Sequence, residues 1–317
     1  MNQTKALKTM ITRYLPSGLH HLSDQEFENI TEIRLRTDKP ILLNTYTSEY
    51  TLTDQGLFTK NLNQGQVITK QDIAKTIELI SNFSMYSFEK EVRNGYITLN
   101  GGHRVGISGT TVIEDGQVKT MKDFNGINVR IARQVFGASN KCLPYLMNQE
   151  GKPLHSLIIS PPACGKTTML RDAIRQLSYG DDQRRGISVG VVDERQEIAA
   201  SYRGVPQNDL GPRTDVLDSC PKSVGMMILL RAMSPQVIAV DELGTAEDIV
   251  AVETIMNSGV AVIATAHGRD IRDIKRRKSL QDITEKKIFE RYIVLKPGVI
   301  GQIKKVYDQD FQEVTRC

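Results

Sequence analysis

Tryptophan is absent from this 317-residue chain, and its four cysteines are scattered without a C-x-x-C pair. A chain of this length does not need disulfide bonds to stabilise a core, so the cysteine pattern fits a reducing cytosol. Without tryptophan, the sequence offers no combined aromatic and basic surface on which nucleic-acid bases would stack. The composition therefore gives no strong nucleic-acid signal.

Long hydrophobic runs are also absent. Apolar stretches such as 237–240 and 259–266 have the length of β-strands and are too short to span a membrane. Residues 1–18 contain no continuous apolar segment of the kind found in secretion signals. The net charge of +4 permits contact with nucleic acid or an anionic membrane but implies neither. We expect a soluble, cytoplasmic protein that is peripheral at a membrane through its partners.

Residues 1–148 are predicted to form a small α+β domain. Thr69 is a suitable N-cap for a helix over 69–92, in which isoleucines recur at helical spacing. Glycine- and asparagine-containing turns adjoin segments that resemble strands, at 32–44, 95–113 and 127–135. We expect these strands to form an antiparallel sheet.

Residues 149–317 are predicted to form an α/β domain of the RecA-like P-loop type. Strands that are apolar on both faces indicate a parallel sheet covered by helices on each side. Helices are expected from Lys166 and over 246–258. The segments interpreted as strands are 154–160, 187–194, 223–233, 236–242 and 260–267.

The segment SPPACGKTT (160–168) nearly matches the phosphate-binding pattern G-x-x-x-x-G-K-[ST] and lies between a predicted strand and a predicted helix. Lys166 is expected to contact the β- and γ-phosphates of ATP, and the Thr167 hydroxyl to help hold Mg²⁺. Ser160 stands where the pattern has glycine, which leaves nucleotide affinity open. The predicted phosphate loop comprises Ser160, Pro161, Pro162, Ala163, Cys164, Gly165, Lys166, Thr167 and Thr168.

Two predicted strands end in carboxylates. Asp241 is the candidate Mg²⁺ ligand, since an aspartate at the end of such a strand holds the metal in P-loop enzymes. Glu194 and Glu242 compete as the base that activates water, and the sequence slightly favours Glu194. A structural salt bridge is the alternative for either glutamate.

Two further polar positions are candidates for contact with the γ-phosphate or its transition state. His267, with Thr265, ends the strand at 260–267 and is expected to lie near the γ-phosphate. Arg213 lies in a long polar loop at 202–218 and could be delivered to the site of a neighbouring subunit, where it would stabilise transition-state charge. A solvated arginine is the alternative.

These motifs resemble the Walker B and histidine-box region of the type II and type IV secretion and pilus-motor ATPases. Asp241 stands where that group usually has glycine. The residues that match its pattern are Leu230, Arg231, Pro235, Glu242, Thr265 and His267.

A closer resemblance, over almost the whole chain, is to the stage III sporulation AA family of endospore-forming bacteria. The segments EIRLRTDKPILL, GGHRVGISGT, PPACGKTTMLRD and VVDERQEIA are similar to blocks of that family and occur in its order. The resemblance implies a Mg²⁺-dependent ATPase that forms a hexameric ring. This ring would power a secretion-like channel between mother cell and forespore, acting with membrane-embedded channel proteins. It also implies that Arg104, Arg130 and Arg133 could reach a neighbour's nucleotide site.

Two other functions stay open at this stage. One is a nucleic-acid-stimulated P-loop ATPase, because RecA-like folds also occur in helicases. The other is a nucleotide-binding scaffold with negligible turnover, which the Ser160 departure allows.

Overall fold

The computed structural model describes residues 3–81, 89–93, 95–162, 164–182, 184–298 and 301–314. The chain divides into two compact units, Met1–Arg133 and Gln134–Cys317. The polar stretch that suggested a boundary at 148/149 lies inside the second unit, where Met147 and Pro153 form a β-bridge.

The first unit is built around an antiparallel sheet. Its strands are β1 (Ile30–Arg36), β2 (Lys39–Pro40), β3 (Leu42–Thr45), β4 (Glu49–Leu52), β5 (Phe58–Thr59), β6 (Val67–Ile68), β7 (Tyr96–Thr98), β8 (Arg104–Glu114) and β9 (Gln117–Arg130). The main sheet has the order β5-β4-β3-β1-β9-β8-β7, and β2 pairs with β6. The helices are α1 (Gln3–Thr12), α2 (Asp24–Asn29), α3 (Lys70–Ile80) and α4 (Glu89–Arg93), with 3₁₀ turns at Ser17–His21 and Leu62–Gln64.

Local sequence patterns account for the strands and helices of this unit. Ile33 and Leu35 on β1 are buried while the alternate Arg36 is exposed, as expected for a strand with one face on the core. The predicted N-cap is confirmed: the Thr69 hydroxyl accepts from the backbone N–H of Asp72 at 3.1 Å, and the Asp72 carboxylate accepts from the Thr69 N–H at 2.8 Å. Helix α3 ends at Ile80, and residues 82–88 of the predicted helix lie outside the described residues.

His103 is a buried histidine of the first unit, and its side chain is held neutral. Its Nδ1 accepts a hydrogen bond from the Ala132 N–H at 2.9 Å, so the neutral ring carries its proton on Nε2. Burial, together with the positive charge of Arg133, lowers the pKa of His103 from 6.5 to about 4. Protonation of Nδ1 would also break the bond to Ala132.

This histidine predicts an acid-sensitive fold. The folded-state pKa lies below that of the unfolded chain, so unfolded protein binds the proton first as pH falls. The contribution of His103 to the free energy of unfolding is therefore constant above about pH 7 and decreases from about pH 6.5 to pH 4, by up to roughly 3 kcal/mol. Urea unfolding of the full chain at several pH values measures it. His103→Gln should make the curve shallower in that window, and an unchanged slope would contradict the assignment.

The second unit contains a mostly parallel sheet. Its strands are β10 (Ser156–Ser160), β11 (Gly180–Asp181), β12 (Arg184–Arg185), β13 (Val189–Asp193), β14 (Thr214–Asp218), β15 (Val237–Val240), β16 (Ala261–His267), β17 (Arg291–Leu295) and β18 (Ile303–Asp308). The main sheet has the order β14-β13-β15-β16-β10-β17-β18, and only the edge strand β18 pairs in antiparallel fashion within it. The helices are α5 (Lys166–Tyr179), α6 (Lys222–Ala232), α7 (Ala246–Asn257), α8 (Ile271–Arg276) and α9 (Gln281–Glu285), with 3₁₀ turns at Leu143–Tyr145 and Lys278–Leu280.

Helices cover both faces of this sheet, which confirms the predicted layering. Met169 and Ile174 of α5 pack with Ile158 and Ile263 on one face. Helices α6 and α7 pack on the other face, against alternate residues of the same strands such as Ile238. Strands buried on both faces read as continuous apolar runs, which is why the sequence identified them.

Two elements of the second unit were predicted wrongly. The segment 223–233 forms most of helix α6, whereas the sequence indicated a strand. An apolar run with no strong periodicity does not distinguish a strand from a buried helix. The strand in this region is instead β14, inside the stretch 202–218 that was interpreted as a polar loop. Among the helices of the described residues, none is both long and apolar enough to cross a membrane.

Candidate active site

Four neighbouring parallel strands, β13, β15, β16 and β10, end at the same edge of the second sheet. Val192 pairs with Val240, and Ser160 pairs with His267, so the residues that follow each strand meet there. Ligands of open α/β sheets bind outside the carboxyl ends of the strands. The predicted phosphate loop and both acidic strand ends therefore belong to one site.

The phosphate loop runs from β10 into α5. Gly165 is the N-cap of α5 and has φ of 82°, a left-handed conformation that favours glycine. Among the described residues of 160–167, Gly165 alone has a positive φ. Ser160 is the buried last residue of β10, and its carbonyl accepts from the Gly268 N–H at 3.1 Å. Position 160 thus has no conformational need for glycine, and Ala163 lies outside the described residues.

Asp241, directly after β15, is held by two hydroxyl groups. Thr167 Oγ1 donates to Asp241 Oδ2 at 2.5 Å, and the buried Thr265 hydroxyl donates to Oδ1. Mg²⁺ prefers oxygen ligands and usually keeps several waters, with one or two carboxylates and substrate phosphates completing its shell. No group of three or more His, Cys, Asp or Glu side chains positioned to hold a metal occurs among the described residues. Asp241 and Thr167 therefore fit Mg²⁺ that is bound together with a phosphorylated substrate.

Glu242 is the centre of a cluster of charged groups. Its Oε1 lies 2.6 Å from Lys166 Nζ and 2.8 Å from His267 Nε2, and its Oε2 lies 2.6 Å from Arg195 Nη1. Burial alone would raise the pKa of Glu242, but the hydrogen bond and charge of Lys166, with the charges of His267 and Arg195, hold it below its usual range. The carboxylate is ionised at neutral pH.

The backbone at Glu242 is unusual. Its φ is 58°, a left-handed conformation that costs free energy in residues other than glycine. Thr265 holds this conformation from the neighbouring strand: its Oγ1 accepts from the Glu242 N–H at 2.9 Å, and its carbonyl accepts from the Leu243 N–H at 2.8 Å. One threonine thus positions both Asp241 and Glu242.

Glu194 has different partners. Its Oε2 lies 2.5 Å from Nζ of Lys222, the first residue of α6, and its side chain is more exposed than that of Glu242. No contact between Glu194 and Lys166 occurs in the described site. Of the two glutamates that the sequence proposed as the base, Glu242 is the one in contact with the predicted phosphate-binding lysine.

Asp193, the other acid at the end of β13, holds a loop. Its buried carboxylate accepts from the N–H groups of Glu197, Ile198 and Ala199 at 2.7–3.0 Å. Arg171 of α5 donates to the carbonyls of Glu197 at 2.5 Å and Ile198 at 2.8 Å. Together these residues fix the turn that follows Glu194 and Arg195.

Arg213 lies away from the phosphate loop of its own chain. Its guanidinium donates to the carbonyl of Ser178 at 2.8 Å, in the last turn of α5, whereas Gly165 caps the first turn. A helix of 14 residues is about 21 Å long, so the two positions lie at opposite ends of it. Delivery of Arg213 to another subunit stays a prediction.

The three arginines expected to serve a neighbour's site have contacts within the first unit. Arg133 donates to the carbonyls of Ile30 and Phe27 at 2.5 and 2.8 Å. Arg130 lies 3.6 Å from Glu32, and the guanidinium of Arg104 lies 4.8 Å from the centre of the Tyr96 ring. A role for them in a shared site stays a prediction.

Comparison with known proteins identifies the family. The profile of the family described as Sporulation stage III, protein AA matches residues 4–314. The chain belongs to this family. Stage III sporulation protein AA of Bacillus subtilis (strain 168) is 40% identical over 306 residues, which are 95% of this chain and 94% of that protein. The resemblance seen in the sequence is therefore confirmed.

Solved structures show which other proteins share the fold of this chain. The ATPase DotB of Legionella pneumophila superposes with a TM-score of 0.57 at 17% identity, covering 90% of this chain and 79% of that one. The pilus retraction motor PilT with bound ADP gives 0.54 at 13% identity, covering 93% of this chain and 78% of that one. Identities this low show the fold alone, and they confirm the predicted RecA-like P-loop architecture.

Sequence reasoning missed two cations of this site. Arg195 and Lys222 pair with the two candidate bases, and neither was proposed as a site residue from the sequence. Arg195 carried one usable signal, since it follows the two acids that end a buried strand. Lys222, which directly precedes the segment 223–233 that was interpreted as a strand, carried no such signal.

Proposed function

We propose that this sporulation protein is a Mg²⁺-dependent ATPase. The observation that carries the proposal is that Lys166 and Thr167, at the N-terminus of α5, each contact an acid at the end of β15. Backbone N–H groups and the helix dipole at such an N-terminus attract phosphate. Phosphoryl transfer to water requires three components: a phosphate-binding lysine, a pair of metal-binding residues and an ionised carboxylate.

The roles of the residues follow from their contacts. Lys166 releases Glu242 and binds the β- and γ-phosphate oxygens of ATP. Thr167 and Asp241 hold Mg²⁺, which supplies positive charge against the phosphate oxygens when bound. Glu242 then accepts a proton from the attacking water, and His267 lies beside it to contact the γ-phosphate. Thr265 keeps Asp241 and Glu242 in place throughout.

The proposal extends to a motor. Membership of a sporulation family and a fold shared with DotB and PilT support an ATPase that acts as a hexameric ring on a secretion-like channel. Its partners would be the membrane-embedded channel proteins between mother cell and forespore. Native mass spectrometry with ATP and Mg²⁺ tests the ring, and a strict monomer at high concentration would contradict it.

Phosphate release by the full chain tests the ATPase. We expect turnover with ATP and Mg²⁺, a fall to background when EDTA removes the metal, and recovery when Mg²⁺ is added back. A protein that binds ATP without any turnover would be a nucleotide-binding scaffold instead. Strong stimulation by single-stranded DNA would favour a nucleic-acid-stimulated ATPase over the motor.

A further inference from the structure

The two oxygens of the Glu242 carboxylate have different partners. Lys166 and His267 share Oε1, at 2.6 and 2.8 Å, whereas Arg195 contacts Oε2 at 2.6 Å. These three cations reach Glu242 from α5, β16 and the turn after β13, so each oxygen is held from a separate direction. The small cavity beside Glu242 and Arg195 is also lined by other charged residues: Asp193, Glu194, Glu197, Lys222 and Asp241.

If the proposed function is correct, ATP binding breaks the contact of Lys166 with Glu242 but not that of Arg195. Lys166 binds the phosphates of ATP, so its contact with Oε1 breaks when ATP binds. Arg195 does not belong to the phosphate loop. It lies two residues beyond the end of β13, just before residues 197–199, whose backbone Asp193 and Arg171 hold by hydrogen bonds. The Arg195–Oε2 contact can therefore persist while the Lys166–Oε1 contact breaks.

We infer that Arg195 is a positioning residue that holds Oε2 of Glu242, so that Oε1 becomes the oxygen that accepts the proton of the attacking water. In that step one O–H bond of the water breaks and its proton passes to Oε1. The water oxygen forms a bond to the γ-phosphorus. The bond from the γ-phosphorus to the β,γ-bridging oxygen breaks, and ADP leaves with the electron pair.

The fixed backbone makes this assignment specific. Glu242 has a left-handed φ, held by Thr265, which sets the direction of its side chain. A carboxylate anchored only at its backbone can still rotate about its side-chain bonds. The charge-assisted hydrogen bond from Arg195 Nη1 to Oε2 restricts that rotation. Misplacement of a general base by a fraction of an ångström is costly to catalysis.

Two substitutions of Arg195 test the inference through separate measurements of turnover and binding. Arg195→Gln should lower kcat by about tenfold to a hundredfold, which is part of the roughly 10²–10⁴ that general-base catalysis contributes. Affinity for a fluorescent ADP analogue should change by less than about threefold, because the nucleotide itself loses no contact. Arg195→Lys keeps a charged donor and should recover part of the lost kcat. Arg185→Gln, an exposed arginine near the other end of α5, is the matched control.

A double variant separates positioning from direct contact with the nucleotide. If Arg195 acts through Glu242, adding Arg195→Gln to Glu242→Gln lowers kcat no further. Weakening of ADP binding by more than about tenfold, or a further loss in the double variant, would assign Arg195 to the nucleotide and overturn the inference. An unchanged kcat for Arg195→Gln in an active enzyme would also overturn it. A wild type that hydrolyses no ATP contradicts the proposed function, and this inference with it.

Discussion

Lys166→Ala should abolish ATP hydrolysis and weaken nucleotide binding. The lysine amine is the only described cation that both belongs to the phosphate loop and contacts an acid at the end of β15. Its loss removes the charge that would neutralise the β- and γ-phosphates, and the reduction in kcat should be at least about a hundredfold. Glu242 keeps Arg195 and His267 as partners, so the variant should fold.

The measurements are phosphate release and titration with a fluorescent ADP analogue. Lys141→Ala, which removes an exposed lysine from the same unit, is the matched control and should behave as wild type. Thermal unfolding of both variants reports whether the fold is retained. Turnover by Lys166→Ala at the wild-type rate would refute the phosphate-loop assignment.

The sequence carried enough information to place this site because its geometry is local. A strand, a short turn ending in glycine, and a helix that begins at Lys166 can be identified within 15 residues, and parallel strands bring their carboxyl ends to one edge. Asp241 and His267 could be assigned to that edge for the same reason. Ser160 appeared as a defect by pattern alone, whereas the structure shows a strand residue with no need of positive φ.

The remaining features depend on packing between distant segments. Helix α6 was mistaken for a strand because Val224 and Ile228 are exposed while Met226 and Leu229 are buried, which leaves apolar side chains on all sides and little periodicity. The choice between Glu194 and Glu242 also could not be made from the sequence. Both follow buried strands, and only the three-dimensional positions of Lys166 and Lys222 separate them.

Glu242→Gln and Glu194→Gln should differ strongly in turnover. Glutamine preserves the size of either side chain but cannot accept a proton as a carboxylate does. At Glu242 the change should lower kcat at least about a hundredfold, because the carboxylate beside Lys166 is lost as a base. At Glu194 it removes only the contact with Lys222, so the loss should stay within about tenfold.

Nucleotide affinity gives an independent test of the same two substitutions. In the wild type, Glu242 competes with phosphate for Lys166, whose amine lies 2.6 Å from Oε1. Glu242→Gln removes that competing charge, so ADP should bind as tightly as in wild type or severalfold more tightly, while Glu194→Gln leaves it unchanged. Phosphate release and the fluorescent ADP titration measure both effects, with Glu150→Gln, an exposed glutamate, as the control. A large loss of kcat at Glu194 with near-normal turnover at Glu242 would reverse the assignment and make Glu194 the base.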